Sequence, residues 1–373
     1  MKIKEALIAE AKRLKIDKIG FASADPFLEL KERLIRHRDA GYSSGFEEPD
    51  IEKRTHPELI LPGAKSIISI ALAYPSRMKN PPSSKPGAYR GMFSRASWGQ
   101  DYHDVLRDRL QRLKEFLLTL VPDARVEVMV DTGALSDRAV AERAGIGWIG
   151  KNTMLITEEF GSWVYLGEML TDVYLPPDEP IEEACGSCTA CLDACPTGAL
   201  VAPGVLNAQA CLSYQTQTKG DLADFFKEKM GNFLYGWDTC QLVCPKNKGK
   251  NFTHQKEFTP DPDLVKPLLK PLLTMSNRQF KQKFGSMSGS WRGRTPIQRN
   301  AIVALAHFRD ESAVPLLSKL LQEDSRSVIR STVAWALGKI GGDEAKTGLL
   351  EAKKKETEPK VLESIDKALE VIG

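Results

Sequence analysis

The chain of 373 residues has no apolar run approaching the ~20 residues needed to cross a bilayer, so no membrane-spanning segment is expected. Its first sixteen residues lack the long apolar core of a secretory signal. They form a charged amphipathic stretch instead, with Lys2, Lys4, Glu5, Glu10, Lys12 and Arg13, and a soluble cytoplasmic protein is expected. A strong overall charge is also missing, the balance being only +3. Cysteine is scarce, at seven residues, but none of the seven falls outside a ligand pattern. With hydrophobic residues at 42% the chain is long enough for two or three cores.

Cys185, Cys188, Cys191 and Cys195 stand at C-x2-C-x2-C-x3-C spacing with Pro196 behind, the ligand run of ferredoxins that carry two iron–sulfur cubanes. In such a run the fourth cysteine serves the other cluster, so a partner stretch is required downstream. Cys240 and Cys244-Pro245 supply it, and Cys211 lies between the two stretches. Structural zinc wants ligands in two pairs, which this run is not. Disulfides need an oxidising compartment, for which the N-terminus gives no sign. A protein that moves electrons is predicted.

The last eighty residues repeat. Ala304-Leu305, Ala336-Leu337 and Ala368-Leu369 recur at a step of thirty-two, which Phe308, Ile340 and Ile372 keep. With the turn Gly341-Gly342-Asp343, this period predicts two stacked HEAT-like helix pairs and a terminal helix. Upstream, the apolar run 64–73 reads as a buried strand, and the alternating Arg125 to Val130 as a half-buried one. Helical patterns cover 5–14, 27–40 and 102–120. The expected plan is an α/β domain over 1–180, a ferredoxin-like two-cluster domain over 181–260, and a basic linker with an all-α HEAT-like repeat over 261–373.

Gly145-Ile146-Gly147-Trp148-Ile149-Gly150-Lys151 satisfies G-x-G-x-x-G, but it follows a helical pattern rather than a strand, so nucleotide binding is not expected. The glycines there predict a turn that lets backbone approach a large ligand closely. Asp131 ends a strand, where α/β folds collect functional groups. A carboxyl in an apolar pocket mouth would have raised proton affinity and act as a general acid. The alternative is that Asp131 caps the helix beginning near Ala134 to Ser136.

Charge is unevenly spread. Between Lys246 and Asn300 there are twelve Lys or Arg against three Asp or Glu, a surplus of nine. Such a belt is the electrostatic footprint of a polyanion, and a nucleic-acid partner is expected.

Val130-Asp131-Thr132, the glycine loop through Asn152, Gly161-Ser162-Trp163, Leu166-Gly167-Glu168, CGSCTACLDACP, Cys211-Leu212-Ser213-Tyr214 and CQLVCP together resemble epoxyqueuosine reductases, cobalamin-dependent enzymes of tRNA queuosine synthesis. The resemblance covers nearly the whole chain. It implies cobalamin in the α/β domain, a redox group that no side chain replaces, and two [4Fe-4S] clusters. It implies reduction of wobble-position epoxyqueuosine, with Asp131 as proton donor. Arg54, Tyr102 and His103 match positions near the corrin, and Lys151, Asn152, Thr153, Ser213 and Tyr214 are expected to border the same pocket.

The ferredoxin rule gives Cys185, Cys188, Cys191 and Cys244 to one cubane and Cys195, Cys211 and Cys240 to the other. Family members often carry a cysteine where this chain has Trp237, which leaves the second cubane one thiolate short. Asp238 is the nearest replacement; a water, a three-iron cluster or a ligand from the cobalamin side are the alternatives. Arg292, Arg294 and Arg299 are the expected tRNA contacts. A monomer fed by a flavodoxin- or ferredoxin-type donor is expected. The competing readings are a reductive dehalogenase, which explains no polycationic belt, and a non-enzymatic electron-transfer module, which needs no large α/β domain.

Overall fold

The computed structural model describes residues 2–373. They form two compact units. The first comprises the chain up to Arg77, Gln100–Cys211 and Asp238–Thr259; the second comprises Met78–Gly99, Leu212–Trp237 and Pro260–Gly373. The α/β part and all seven cysteines therefore share one unit, and the repeat unit draws in two upstream segments.

The first unit is organised by a sheet of β1 (Lys18–Ser23), β2 (Ser66–Ala73), β3 (Val126–Met129) and β4 (Val164–Thr171), in the order β1-β2-β4-β3. Every pairing is antiparallel. The rule that sites gather at the carboxyl ends of parallel strands thus has no purchase here, and Asp131 follows an edge strand. β2 is buried along all eight residues. Strands on both sides and helices on both faces explain its unbroken apolar run.

On one face Gly167 of β4 meets Leu110 of the helix α2 (Tyr102–Leu120) so closely that a Cβ would stand 3.0 Å from that leucine. Helix α1 (Lys2–Arg13) packs beside α2. The other face carries α3 (Asp137–Arg143), whose Ala139 and Val140 join Ile67, Ala71, Leu135 and Leu170 in one buried cluster. Full burial of each such large aliphatic side chain contributes about 1.5–3 kcal/mol.

The glycine loop ends α3. Gly145 adopts φ +67°, its N–H donates to the Glu142 carbonyl, and the Ile146 N–H donates to Ala141, a Schellman closure. A Cβ on Gly147 would lie 2.2 Å from the Ile156 carbonyl. The close approaches of these glycines are to Glu179 and Ile156 of the protein itself.

The second unit ends in α4 (Arg294–His307), α5 (Val314–Glu323), α6 (Ser327–Ile340), α7 (Asp343–Lys353) and α8 (Pro359–Ile372). These are two pairs and a terminal helix, as the period predicts. Ala304, Ala336 and Ala368 are all buried. A Cβ on Gly338 would lie 2.8 Å from that of Ala368, so small residues set how closely α6 and α8 pack.

Candidate active site and iron–sulfur ligands

Asp131 sits in the turn between β3 and α3 with φ +51°, a left-handed conformation that aspartate tolerates better than most residues. Its N–H donates to Asp137 Oδ2 at 2.9 Å, and Thr132 Oγ1 donates to the Val130 carbonyl. Tyr102 Oη donates to Asp131 Oδ2 at 2.9 Å, and His103 Nε2 lies 3.4 Å from the same oxygen. Asp101, which caps α2, accepts from His103 Nδ1 at 2.7 Å. The Asp131 side chain is 62% exposed.

Burial alone would lower the His103 pKa, but its hydrogen bond to Asp101 and the nearby Asp131 carboxylate outweigh that and raise it to about 9. The same His103 contact, followed by the Tyr102 hydroxyl, holds Asp131 below the usual carboxylate range. This corrects the expectation of a raised proton affinity. Asp131 does not lie in an apolar pocket mouth but beside two donors, and in this arrangement the proton rests on His103. Nor does Asp131 cap α3, because the N-cap position belongs to Ser136.

Sequence reasoning missed three further groups. Asp137, in the first turn of α3, is pushed up to about 6 by burial and by Asp131. Glu168 of β4 is fully buried and raised well above the ordinary range, first by burial and then by Asp137. Arg138, whose Nη1 donates to the Thr153 carbonyl at 2.5 Å, faces Asp131, Asp137 and Glu47. Only convergence from separate elements marks them, and a first-turn Asp looks like ordinary helix-dipole complement. Arg54 stands beside Glu47 and Arg138, its pKa lowered by burial. Asp131 and Arg138 are exposed and Asp137 is half-buried, so solvent reaches all three, and together they form the floor of the candidate site. A floor of this kind, with donors on one side and carboxylates on the other, fits a large planar cofactor rich in amides.

The loop 151–153 connects this floor to the cysteines. Lys151 Nζ donates to the Gly186 carbonyl and, at 3.1 Å, to that of Cys188. Asn152 Nδ2 donates to the Cys240 carbonyl at 3.2 Å. Thr153 carries the carbonyl that Arg138 grips.

None of the seven cysteines is in a disulfide. Burial raises the Cys191 pKa, followed by the charges of Cys244 and Cys188. Cys240 is pushed up to about 12, by burial first and then by Cys211, Asp238, Cys191 and Cys195. Cys191 neighbours Cys244 and Cys188 as well as Cys240, so the two cysteine stretches crowd together. Thiols crowded in this way ionise together only when a cation offsets their repulsion, so the donor set suits iron–sulfur clusters. Asp238 is buried and its side chain does not cap the helix it precedes, Thr239–Leu242.

A buried network holds the second cysteine stretch. Asn247 Oδ1 accepts from the Ser162 N–H, Asn247 Nδ2 donates to Ser162 Oγ and the Gln241 carbonyl, and Ser162 Oγ donates to Gln241. Gly161 is required because a Cβ would lie 2.1 Å from Asn247 Oδ1.

Ser213 and Tyr214 belong to the second unit, in the short helix Leu212–Gln215, where the Ser213 carbonyl accepts from Thr216 Oγ1 and Gln217 Nε2. In that unit Arg292 and Arg294 are half-buried, each donating to a backbone carbonyl, of Gln217 and Met275. Arg299 is fully buried. Its guanidinium donates to the carbonyls of Thr218 at 2.8 Å, Gly220 at 2.5 Å and Gln215 at 2.9 Å. It therefore cannot meet a phosphate, and its expected role as a tRNA contact is corrected to a structural one. Arg278, Lys281 and Lys283 are exposed on the helix Asn277–Phe284, which buries Phe280 and Phe284, and they give the belt an outward cationic face in this unit.

Fold and donor set define an iron–sulfur oxidoreductase that joins an α/β domain to a helical repeat. Over 371 residues the chain is 60% identical to an epoxyqueuosine reductase of Bacillus cereus, covering 100% of this chain and 98% of that protein. The chain belongs to the epoxyqueuosine reductase family. Family descriptions match in order: "Epoxyqueuosine reductase QueG, DUF1730" at residues 54–132, "4Fe-4S double cluster binding domain" at 184–247, and "HEAT repeats" at 293–370.

Two solved structures are similar over the whole chain. One is an epoxyqueuosine reductase with an epoxyqueuosine-modified tRNA-Tyr stem loop, 60% identical with a TM-score of 0.98, covering 100% of this chain and 99% of the other. The second, from Bacillus subtilis, has its catalytic aspartate loop swung out of the active site; it is 59% identical with a TM-score of 0.98, and coverage is 100% and 99%.

Proposed function

We propose that the chain reduces epoxyqueuosine in tRNA to queuosine, with cobalamin held by the α/β domain and two [4Fe-4S] clusters held by the cysteines. The observation that carries this reading is the 151–153 loop, which ties the Asp131 floor to the backbone of both cysteine stretches within one compact unit. When bound, cobalamin supplies low-potential cobalt redox chemistry that no side chain offers. Arg54, Tyr102, His103, Asn152 and Thr153 would border it. Cys185, Cys188, Cys191 and Cys244 would hold one cluster. Cys195, Cys211, Cys240 and Asp238 would hold the other.

The chain's own residues manage the proton. Opening an epoxide leaves an oxygen that must be protonated. Asp131 is the exposed carboxyl of the candidate site; Tyr102 donates to its Oδ2, and His103 Nε2 lies 3.4 Å from the same oxygen. The left-handed turn that carries Asp131 suits a loop with two positions, and a relative's catalytic aspartate loop is described as swung out. The exposed face of Arg278, Lys281 and Lys283, with Arg292 and Arg294, suits the phosphates of a stem loop, and a base reaches a buried metal only when turned out of its stack.

The test is incubation with epoxyqueuosine-containing tRNA, cobalamin and a strong reductant, read by nucleoside mass spectrometry. Wild type should form queuosine, while Asp131→Asn should keep the visible spectrum of bound cobalamin and form none. Undiminished turnover by the variant would remove Asp131 from its role. No product from wild type would overturn the substrate assignment.

A further inference from the structure

β4 alternates as a half-sheet strand should, and on the face toward α3 it presents Leu166, Glu168 and Leu170. Glu168 is the exception in an apolar layer. It is wholly inaccessible, and neither carboxyl oxygen makes a hydrogen bond of ordinary geometry among the described residues. Its register partner on β2 is Ser69, likewise buried with an unbonded hydroxyl. Around the pair lie Ile67, Ala71, Leu135, Ala139 and Val140. A carboxylate could not persist there as an ion. Glu168 is therefore a neutral acid carrying a proton not committed to any fixed acceptor.

The neighbouring carboxyl is Asp137, half-buried at the start of α3, which faces Glu168 and also accepts the Asp131 backbone N–H at 2.9 Å. The other charges near the chain of carboxyls are His103 and Arg138. Accessibility rises along the series, from none at Glu168, through half-burial at Asp137, to the exposed carboxyl of Asp131.

Conversion of an epoxide to an alkene breaks both C–O bonds and releases the oxygen as water. It consumes two electrons, which the iron–sulfur chain draws from a low-potential one-electron donor, and two protons. Asp131 holds one proton at a time, and bound tRNA would separate it from bulk solvent. We propose that Glu168, relayed by Asp137, is the internal proton store that recharges Asp131, so that one carboxyl delivers both protons. This rests on Asp131 being the donor.

The holoenzyme tests it in two ways. Infrared spectroscopy of the resting protein at neutral pH should show a protonated-carboxyl C=O band that shifts in D2O and is lost in Glu168→Gln. In steady-state turnover, Glu168→Gln and Asp137→Asn should each lower kcat by roughly 10²-fold, with KM for tRNA unchanged and a larger solvent deuterium isotope effect. Both replacements are isosteric, and the amide oxygen introduced by Asp137→Asn can still accept the Asp131 N–H. A band that survives Glu168→Gln, an unchanged kcat, or parallel changes in KM and melting temperature would overturn the relay. If Asp131→Asn is inactive while Glu168→Gln turns over normally, the relay alone fails; if Asp131→Asn is fully active, the donor assignment fails and the relay with it.

Discussion

Replacing Arg299 with methionine separates a structural cation from a tRNA contact. The three short bonds of its guanidinium to backbone carbonyls are charge-assisted, and at about 1.5–3 kcal/mol each they amount to about 4.5–9 kcal/mol. Burial opposes them. It holds the arginine pKa down from 12.5 to about 10, with the charge of Asp221 acting the other way. At 1.36 kcal/mol per pH unit that is about 3 kcal/mol, which methionine would recover. The difference leaves a destabilisation of roughly 2–6 kcal/mol.

For a unit of about 160 residues, each kcal/mol lowers the melting temperature by about 2–4 °C, so a fall near 10 °C is expected by calorimetry. Below that temperature the folded variant should bind tRNA as wild type does. An unchanged melting temperature together with weakened tRNA binding would refute the reasoning and return Arg299 to the interface.

Charge reversal of Arg278, Lys281 and Lys283 to glutamate should weaken tRNA binding and flatten its salt dependence by about three phosphate contacts, a slope change of roughly 2.7, with melting temperature and cobalamin uptake unaltered; equal affinity would place the interface elsewhere. Asp238→Ala in reconstituted protein should lower iron content and give a three-iron EPR signal, and a signal equal to wild type would exclude Asp238 as a ligand. His103 binds its proton more tightly in the folded state, so its contribution to stability is complete below about pH 6.5 and is lost as pH rises toward 9. Chemical denaturation across that range should show the loss in wild type and not in His103→Gln; identical profiles would contradict the Asp101–His103–Asp131 contact.

What the chain writes locally was legible from residues alone. The cysteine run needs only its spacing, because neighbouring ligands come from one turn of backbone. The thirty-two-residue period reports helices that bury the same face at each repeat, and buried Ala304, Ala336 and Ala368 agree with it. Helix α2 was read at its observed bounds because its apolar positions recur with helical period.

Tertiary structure decided what depends on distant partners. Arg299 and Arg278 are the same letter in the same belt, yet one is enclosed by carbonyls and the other faces water. Asp131 was expected to hold its proton tightly, but His103 and Tyr102, brought in from α2, lower its pKa. Glu168 reads as one polar residue in a strand and becomes a neutral buried acid only because β2, β4 and α3 close around it. Burial and electrostatic coupling are properties of arrangement, and a linear sequence does not carry them.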